Sequence, residues 1–216
     1  MNLTTIQSRT AKFCGDPDQT RFSSGYVDAI NDAQKQFTLD TKSLFKDVAY
    51  TTVSGTSTYA LPTDFLYEDT VTYNGLPLDP VSRHTLYTLY PDTDWTLLEG
   101  TPKCYMVDPE EASLVVRLIP IPQEAKPVSM RYYPLPTDVS SGSDVILNSS
   151  TLMTQFHLGI AAYAAWIILT SETITPEIVV KRNELLRIYT DAVEKAINTF
   201  KNTASAPLRL RGTNPR

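Results

Sequence analysis

The chain has 216 residues, 42% of them hydrophobic and 20% charged, which is enough for one good core or two small ones and excludes a disordered or fibrous protein. With 19 Lys and Arg against 24 Asp and Glu, the formal net charge is −5, so the chain as a whole lacks the basic footprint of a nucleic-acid binder. The charge is unevenly placed: Lys201, Arg209, Arg211 and Arg216 stand in a segment without acids, leaving residues 1–200 with 15 basic against 24 acidic groups, or −9.

Cys14 and Cys104 are too few for a disulfide scaffold and have no histidine or cysteine partner at metal spacing, so both read as reduced packing residues. Residues 1–9 lack a basic stretch followed by an apolar run, so export by a signal peptide is not expected and maturation in a cytoplasm is. The most apolar run, Leu158–Leu169, is interrupted by Gly159 and falls short of the roughly 20 residues a bilayer demands.

In chain order, Leu3, Ile6 and Phe13 predict a first helix over residues 3–13, stopped at Gly15-Asp16-Pro17. Ser23 or Ser24 is expected to cap a second, with Val27, Ile30, Ala33, Gln34 and Phe37 on one face, running to about Lys42. Strand chemistry follows: Val48–Val53 and Ser57–Leu61, then a hairpin around Asn74-Gly75, then Lys103–Val107, Ser113–Ile119 and Val128–Tyr133. Ser82–Tyr90 reads as one or two helical turns, and Asp108-Pro109-Glu110-Glu111 as the turn between two strands. Nine of the fifteen prolines lie between Leu61 and Val128, which suits short, edge-rich strands and excludes long helices there.

Helix is expected to return after Asn148-Ser149-Ser150-Thr151, with Leu152, Phe156, Ile160, Tyr163 and Ile167 in one stripe and so many alanines around it that the helix must be surrounded. The last helix opens near Thr175-Pro176-Glu177 and carries apolar residues every three or four positions from Ile178 to Phe200. Asn202–Arg216 has small, proline and basic residues and on its own lacks the means to fold. The fold class expected is α+β: a helical bundle formed by residues 1–46 and 148–201, a long inserted antiparallel β domain over 47–147, and an extended C-terminal arm over 202–216.

Catalytic chemistry has little to stand on. His84 and His157 are isolated, and no nucleophile elbow, phosphate loop or paired metal-ligand set is present. Three acid pairs, Asp16/Asp18, Asp92/Asp94 and Glu110/Glu111, suit calcium or a glycosidic bond only in principle, because all lie in turn-like sequence where carboxylates bond backbone amides. No catalytic residue, metal site or cofactor is assigned. Ten aromatics of the β region, Tyr50, Tyr59, Tyr67, Tyr73, Tyr87, Tyr90, Trp95, Tyr105, Tyr132 and Tyr133, pack a core or present a surface to a sugar or a protein partner. In the tail, Leu208-Arg209-Leu210-Arg211 alternates apolar and basic residues, a pattern that suits an extended segment on a sheet edge or in an acidic groove of another chain.

Tyr59-Ala60-Leu61-Pro62-Thr63-Asp64-Phe65, then Val71-Thr72-Tyr73-Asn74-Gly75-Leu76-Pro77-Leu78, then Trp95 before Gly100-Thr101-Pro102-Lys103-Cys104-Tyr105, and finally Leu118-Ile119-Pro120-Ile121-Pro122 resemble, in order and spacing over residues 59–122, the head-to-tail adaptor proteins of tailed bacteriophages. The resemblance implies a non-enzymatic virion protein of the neck, assembled in the host cytoplasm. It implies a homo-oligomer, a dodecameric ring below the portal protein, that meets a tail nozzle or tail-tube protein and lets DNA pass without specific contact and without a membrane. It also implies a portal-binding arm containing Leu208, Arg209, Leu210, Arg211 and Arg216, with Tyr73, Trp95 and Tyr105 as candidates for inter-subunit or tail contacts. Two other readings stay open: a carbohydrate-binding module that uses exposed aromatics, and a hydrolase built on Asp92 or Glu110.

Overall fold

Apolar spacing places helices at both ends of the chain and strands between them, and the computed structural model, which describes residues 2–22, 25–110, 113–149 and 151–204, has that order. The fold is α+β, with five helices and two sheets among the described residues. Leu44–Leu135 forms one compact unit, and the residues before and after it form a second.

The helical unit contains α1 (Leu3–Cys14), α2 (Tyr26–Thr41), and, after the β region, α4 (His157–Thr170) and α5 (Pro176–Ala204); α3 (Arg83–Leu89) belongs to the other unit. Helix α1 buries Leu3, Ile6, Thr10, Ala11 and Cys14 and ends at Gly15, whose φ of 79° is a left-handed conformation open to glycine. At its start, the Asn2 side chain accepts from the Thr5 amide, and the carbonyls of Asp144 and Gly142 take the Leu3 and Thr4 amides. Those bonds satisfy donors that a helix N-terminus leaves open.

Helix α2 differs from expectation at its start. Its N-cap is Gly25, with no side-chain cap bond, and Ser23 and Ser24 lie outside the described residues. The preceding turn is held instead by the Asp16 carboxylate, which accepts from the amides of Thr20, Arg21 and Phe22 and from the Tyr26 hydroxyl. Burial works to raise this carboxyl group's pKa, but those bonds prevail and hold it below its ordinary value.

Helix α4 also begins later than the caps at Asn148–Thr151 suggest. Residues Ile146–Ser149 and Thr151–Phe156 form 3-10 turns, and α4 starts only at His157. Leu147, fully buried and at φ 53°, sits in the left-handed region, which a right-handed helix cannot pass through. Gln34 secures this segment by accepting from the Leu147 amide and donating to the Thr137 carbonyl. Helix α5 starts where expected, with Pro176 in its first turn and the Thr175 hydroxyl accepting from the Ile178 amide. It continues to Ala204, past the Asn202 boundary expected for the arm.

The other unit carries β1 (Lys46–Thr51), β2 (Thr58–Ala60), β3 (Phe65–Tyr73), β4 (Leu76–Pro77), β5 (Asp79–Pro80), α3, β6 (Cys104–Glu110), β7 (Ser113–Ile119) and β8 (Pro127–Pro134). One sheet has the order β1-β8-β3-β4 and the other β2-β7-β6-β5. Val71, Tyr73, Val128 and Met130 from the first sheet and Tyr105, Val116 and Leu118 from the second share one core cluster. The β3–β4 hairpin turns at Asn74-Gly75, both at positive φ, as their readiness for that region foretold.

Two expectations for this region need correction. The pairing is not wholly antiparallel, because β5 runs parallel to β6. A parallel neighbour needs a crossover connection, which is supplied by α3 and a 3-10 turn at Trp95–Leu97. Likewise, Asp108 and Pro109 are not in a turn but in β6, opposite Val115 and Leu114 of β7. Strand β5 covers only Cys104 and Tyr105, so β6 is an edge at Pro109 and the missing proline N–H costs no pairing on that side.

Candidate functional site

The arm residues Leu208, Arg209, Leu210, Arg211 and Arg216 lie outside the described residues. The three aromatic candidates lie inside the fold: Tyr73, Trp95 and Tyr105 are 7%, 3% and 3% exposed. Tyr73 and Tyr105 face the shared core of the two sheets, while Trp95 packs with Leu86, Met106 and Ile119. The Tyr87 ring meets Trp95 edge-on at 6.1 Å between centroids, and the Arg83 guanidinium stands 5.9 Å over it. Arg83 in turn donates to Asp108 on β6 at 2.5 Å. Trp95 thus pins the β5–β6 crossover onto its sheet.

Of the other aromatics, Tyr132 is buried, donates its hydroxyl to Asp64 at 2.9 Å, and is pushed up to about 12, first by burial and then by that carboxylate. Tyr67 and Tyr87 are exposed, and the remaining four are half-buried. On the crossover, Tyr87, Leu89 and Leu97 are each exposed, and Asp92, Asp94 and Glu99 lie near them in the chain.

One member of each of the first two acid pairs serves the backbone. Asp16 holds the α1–α2 turn, as described above, and Asp94 accepts from the amide and hydroxyl of Thr96, which lowers its pKa. The Glu110 side chain and Glu111 lie outside the described residues. Among the described residues, no group of three or more His, Cys, Asp or Glu side chains is placed to hold a metal. His84 is exposed on α3. His157 is buried, neither ring nitrogen has a hydrogen-bond partner among the described residues, and burial brings its pKa down to about 4, so the ring is neutral at pH 7.

The surface that sequence reasoning missed is on the helical unit, where α4 and α5 meet. Gly159 of α4 lies so near α5 that a Cβ there would stand 2.4 Å from the Cβ of Ala192. Beside this contact opens a groove of about 540 Å³, with Phe156, Leu158, Gly159, Ile188 and Ala192 among its lining and Asp191, Lys195 and Asn198 among its polar groups. Past α5 on another side is a smaller depression of about 270 Å³, lined by Trp166, Val179, Arg182, Asn183 and Leu186. The Arg182 guanidinium stands 5.5 Å over the Trp166 ring, and Trp166 stacks on Tyr163 at 5.4 Å. The one sequence signal for this architecture is Gly159, a glycine in an otherwise alanine- and isoleucine-rich helix, which marks close helix approach as readily as a break.

No helix among the described residues is long and apolar enough to cross a membrane. No curated protein matches the chain. The family model described as SU10 adaptor protein matches residues 1–211, through both helical segments, the β region and most of the tail. The chain therefore belongs to the SU10 adaptor protein family, in agreement with the phage-adaptor resemblance of residues 59–122.

Proposed function

We propose that this chain is the head-to-tail adaptor subunit of a tailed-phage virion: a ring-forming structural protein of the neck that joins the portal protein to a tail nozzle or tail-tube protein and surrounds the DNA channel. The observation that carries the reading is the family match, which is not confined to one module but extends over residues 1–211. Charge supports it, because a body of −9 over residues 1–200 repels a DNA backbone and suits a wall along which DNA slides without being held.

In this reading residues 202–216 form the arm, with Leu208, Arg209, Leu210, Arg211 and Arg216 on the portal. A short segment rich in arginine is complementary in charge to an acidic partner. The tail is met by the β unit, where Trp95 fixes the crossover that presents Tyr87, Leu89 and Leu97. The role is structural, with no turnover and no cofactor, and assembly takes place in the host cytoplasm.

The test is reconstitution of joining. Portal-bearing heads and tails prepared without this protein are mixed with and without the purified chain, and joined particles are counted by electron microscopy. Joining that depends on the chain is expected; equal joining without it overturns the reading.

A further inference from the structure

The groove between α4 and α5 runs toward the end of the described chain. Ile188, Ala192, Lys195 and Thr199 on its α5 wall recur at steps of three and four residues, so they share one face of the helix. Thr199 stands five residues, about 8 Å, short of Ala204. The facing wall brings its apolar residues to that same end: Gly159 meets Ala192, and Phe156, three residues before Gly159, has its ring 6.4 Å from that of Phe200. Leu158, between them, is 46% exposed. Twelve residues, Ser205–Arg216, follow the last described one, and their order suits a return along this groove. Pro207 cannot extend a helix and pushes Ala206 toward extended backbone, so Ser205-Ala206-Pro207 is a place for the chain to reverse. Past it Leu208-Arg209-Leu210-Arg211 alternates, and an extended chain sends its leucines to one side and its arginines to the other. An extended residue advances about 3.3 Å and a helical one about 1.5 Å. With Leu208 level with Ala204, the returning chain therefore puts Leu210 level with Thr199 and Phe200, Gly212 level with Lys195, and Arg211 and Arg216 on either side of Asp191.

We propose that in the free chain this groove holds the chain's own residues 205–216, with Leu208 and Leu210 against Phe156 and Leu158. The groove, at about 540 Å³, has room for two leucine side chains. Charge supports the same occupant: Asp191 makes no ion pair among the described residues, and the segment holds three arginines and no acid. The tether favours its own chain over a second copy, because a short link gives an effective concentration of about 1 mM, well above that of other copies in a micromolar solution. A groove that binds the separate peptide at about 0.3 mM is then filled about three quarters of the time. Such a contact adds so little that removing the segment lowers the melting temperature by about 4 °C at most. The contact stands apart from the adaptor reading, but its consequence rests on it. A portal that takes residues 208–216 takes them from the groove, so the free chain binds it with an affinity reduced to the undocked fraction.

The test is NMR of the isotope-labelled full chain beside the synthetic peptide Ser205–Arg216 alone. In the wild type, the amides of Leu208–Arg211 are expected to show less fast motion, by heteronuclear NOE, than those of the peptide. Leu158→Lys replaces an exposed side chain and adds a charge of the segment's own sign, so it should return these amides to the peptide's values. Leu208→Asp with Leu210→Asp should shift the methyl signals of Leu158 and Ile188, and this arm variant leaves every described residue in place. Wild-type amides that move like the peptide's overturn the proposal and leave the groove to another partner. Ordering that survives Leu158→Lys, or groove methyls that ignore the arm variant, overturns it as well. Ordering that grows with protein concentration puts one copy's segment in another's groove and overturns the contact within one chain. Portal binding by the same preparations is scored separately. Leu158→Lys is expected to bind the portal about fourfold more tightly than the wild type, and equal affinities refute the release. A chain that ignores the portal in both forms yet keeps the NMR signature refutes the adaptor reading and leaves the contact standing.

Discussion

The Cβ that Gly159 lacks would stand 2.4 Å from the Cβ of Ala192, so α4 and α5 approach each other as closely as they do because that position holds a glycine. Gly159→Ala should force the helices apart and cost about 1–3 kcal/mol, as other overpacking substitutions do. The check is the urea midpoint, which should fall while the slope holds. Ala192→Gly added to the variant should recover part of the loss; a double variant no better than the single one assigns the cost to something other than this contact.

Burial of His157 makes a pH-dependent prediction. With its pKa brought down from 6.5 to about 4, the folded state disfavours the charged ring. Its contribution is whole above pH 6.5 and is lost as pH falls towards 4, by at most about 3 kcal/mol. His157→Leu should flatten the stability profile in that window. Asp16 and Asp94, held below their ordinary values, act at lower pH. Denaturation curves at pH 7 and pH 4.5 decide: an equal loss in wild type and variant places the titrating group elsewhere.

A tie between α2 and α5 gives a third test. The Tyr189 hydroxyl donates to Asp40 at 2.5 Å, and burial followed by that carboxylate raises its pKa. Tyr189→Phe should cost about 1 kcal/mol, the usual net worth of one such bond with an exposed partner. In the Phe background Asp40→Ala should add almost nothing. A full additional loss would mean that the two side chains act independently.

Trp95 separates the adaptor reading from the sugar-binding one. Its ring is 3% exposed and packed on Leu86, Met106 and Ile119, so Trp95→Ala should destabilise the protein by about 3–5 kcal/mol. A stacking platform for sugars would instead lose glycan affinity at little cost in stability. Thermal unfolding and a glycan-binding assay on the same variant tell these apart.

Local chemistry explains which parts of the fold were readable from the sequence. Pro176 after Thr175, Gly15 after Cys14 and Asn74-Gly75 each announce one backbone conformation, and each marks a real boundary. The misses arise where tertiary contacts decide. Leu147 is held left-handed by its burial and by Gln34, more than a hundred residues away in the chain, and so delays α4. Pro109 is allowed in β6 because β5 is only two residues long. Tyr73, Trp95 and Tyr105 carry no mark of which way they face, since an aromatic on a short strand or turn serves core and surface alike. The α4–α5 groove was the least readable, because it forms only where two helices distant in the chain meet, and neither helix alone marks which of its residues will line it.

The central claim is tested most directly by weighing complexes. Static light scattering of the portal ring alone, with the full chain, and with a variant ending at Lys201 should show one adaptor bound per portal subunit for the full chain and none for the truncated one. The truncated variant should keep its melting temperature nearly unchanged. A full chain that leaves the portal ring at its own mass contradicts the account.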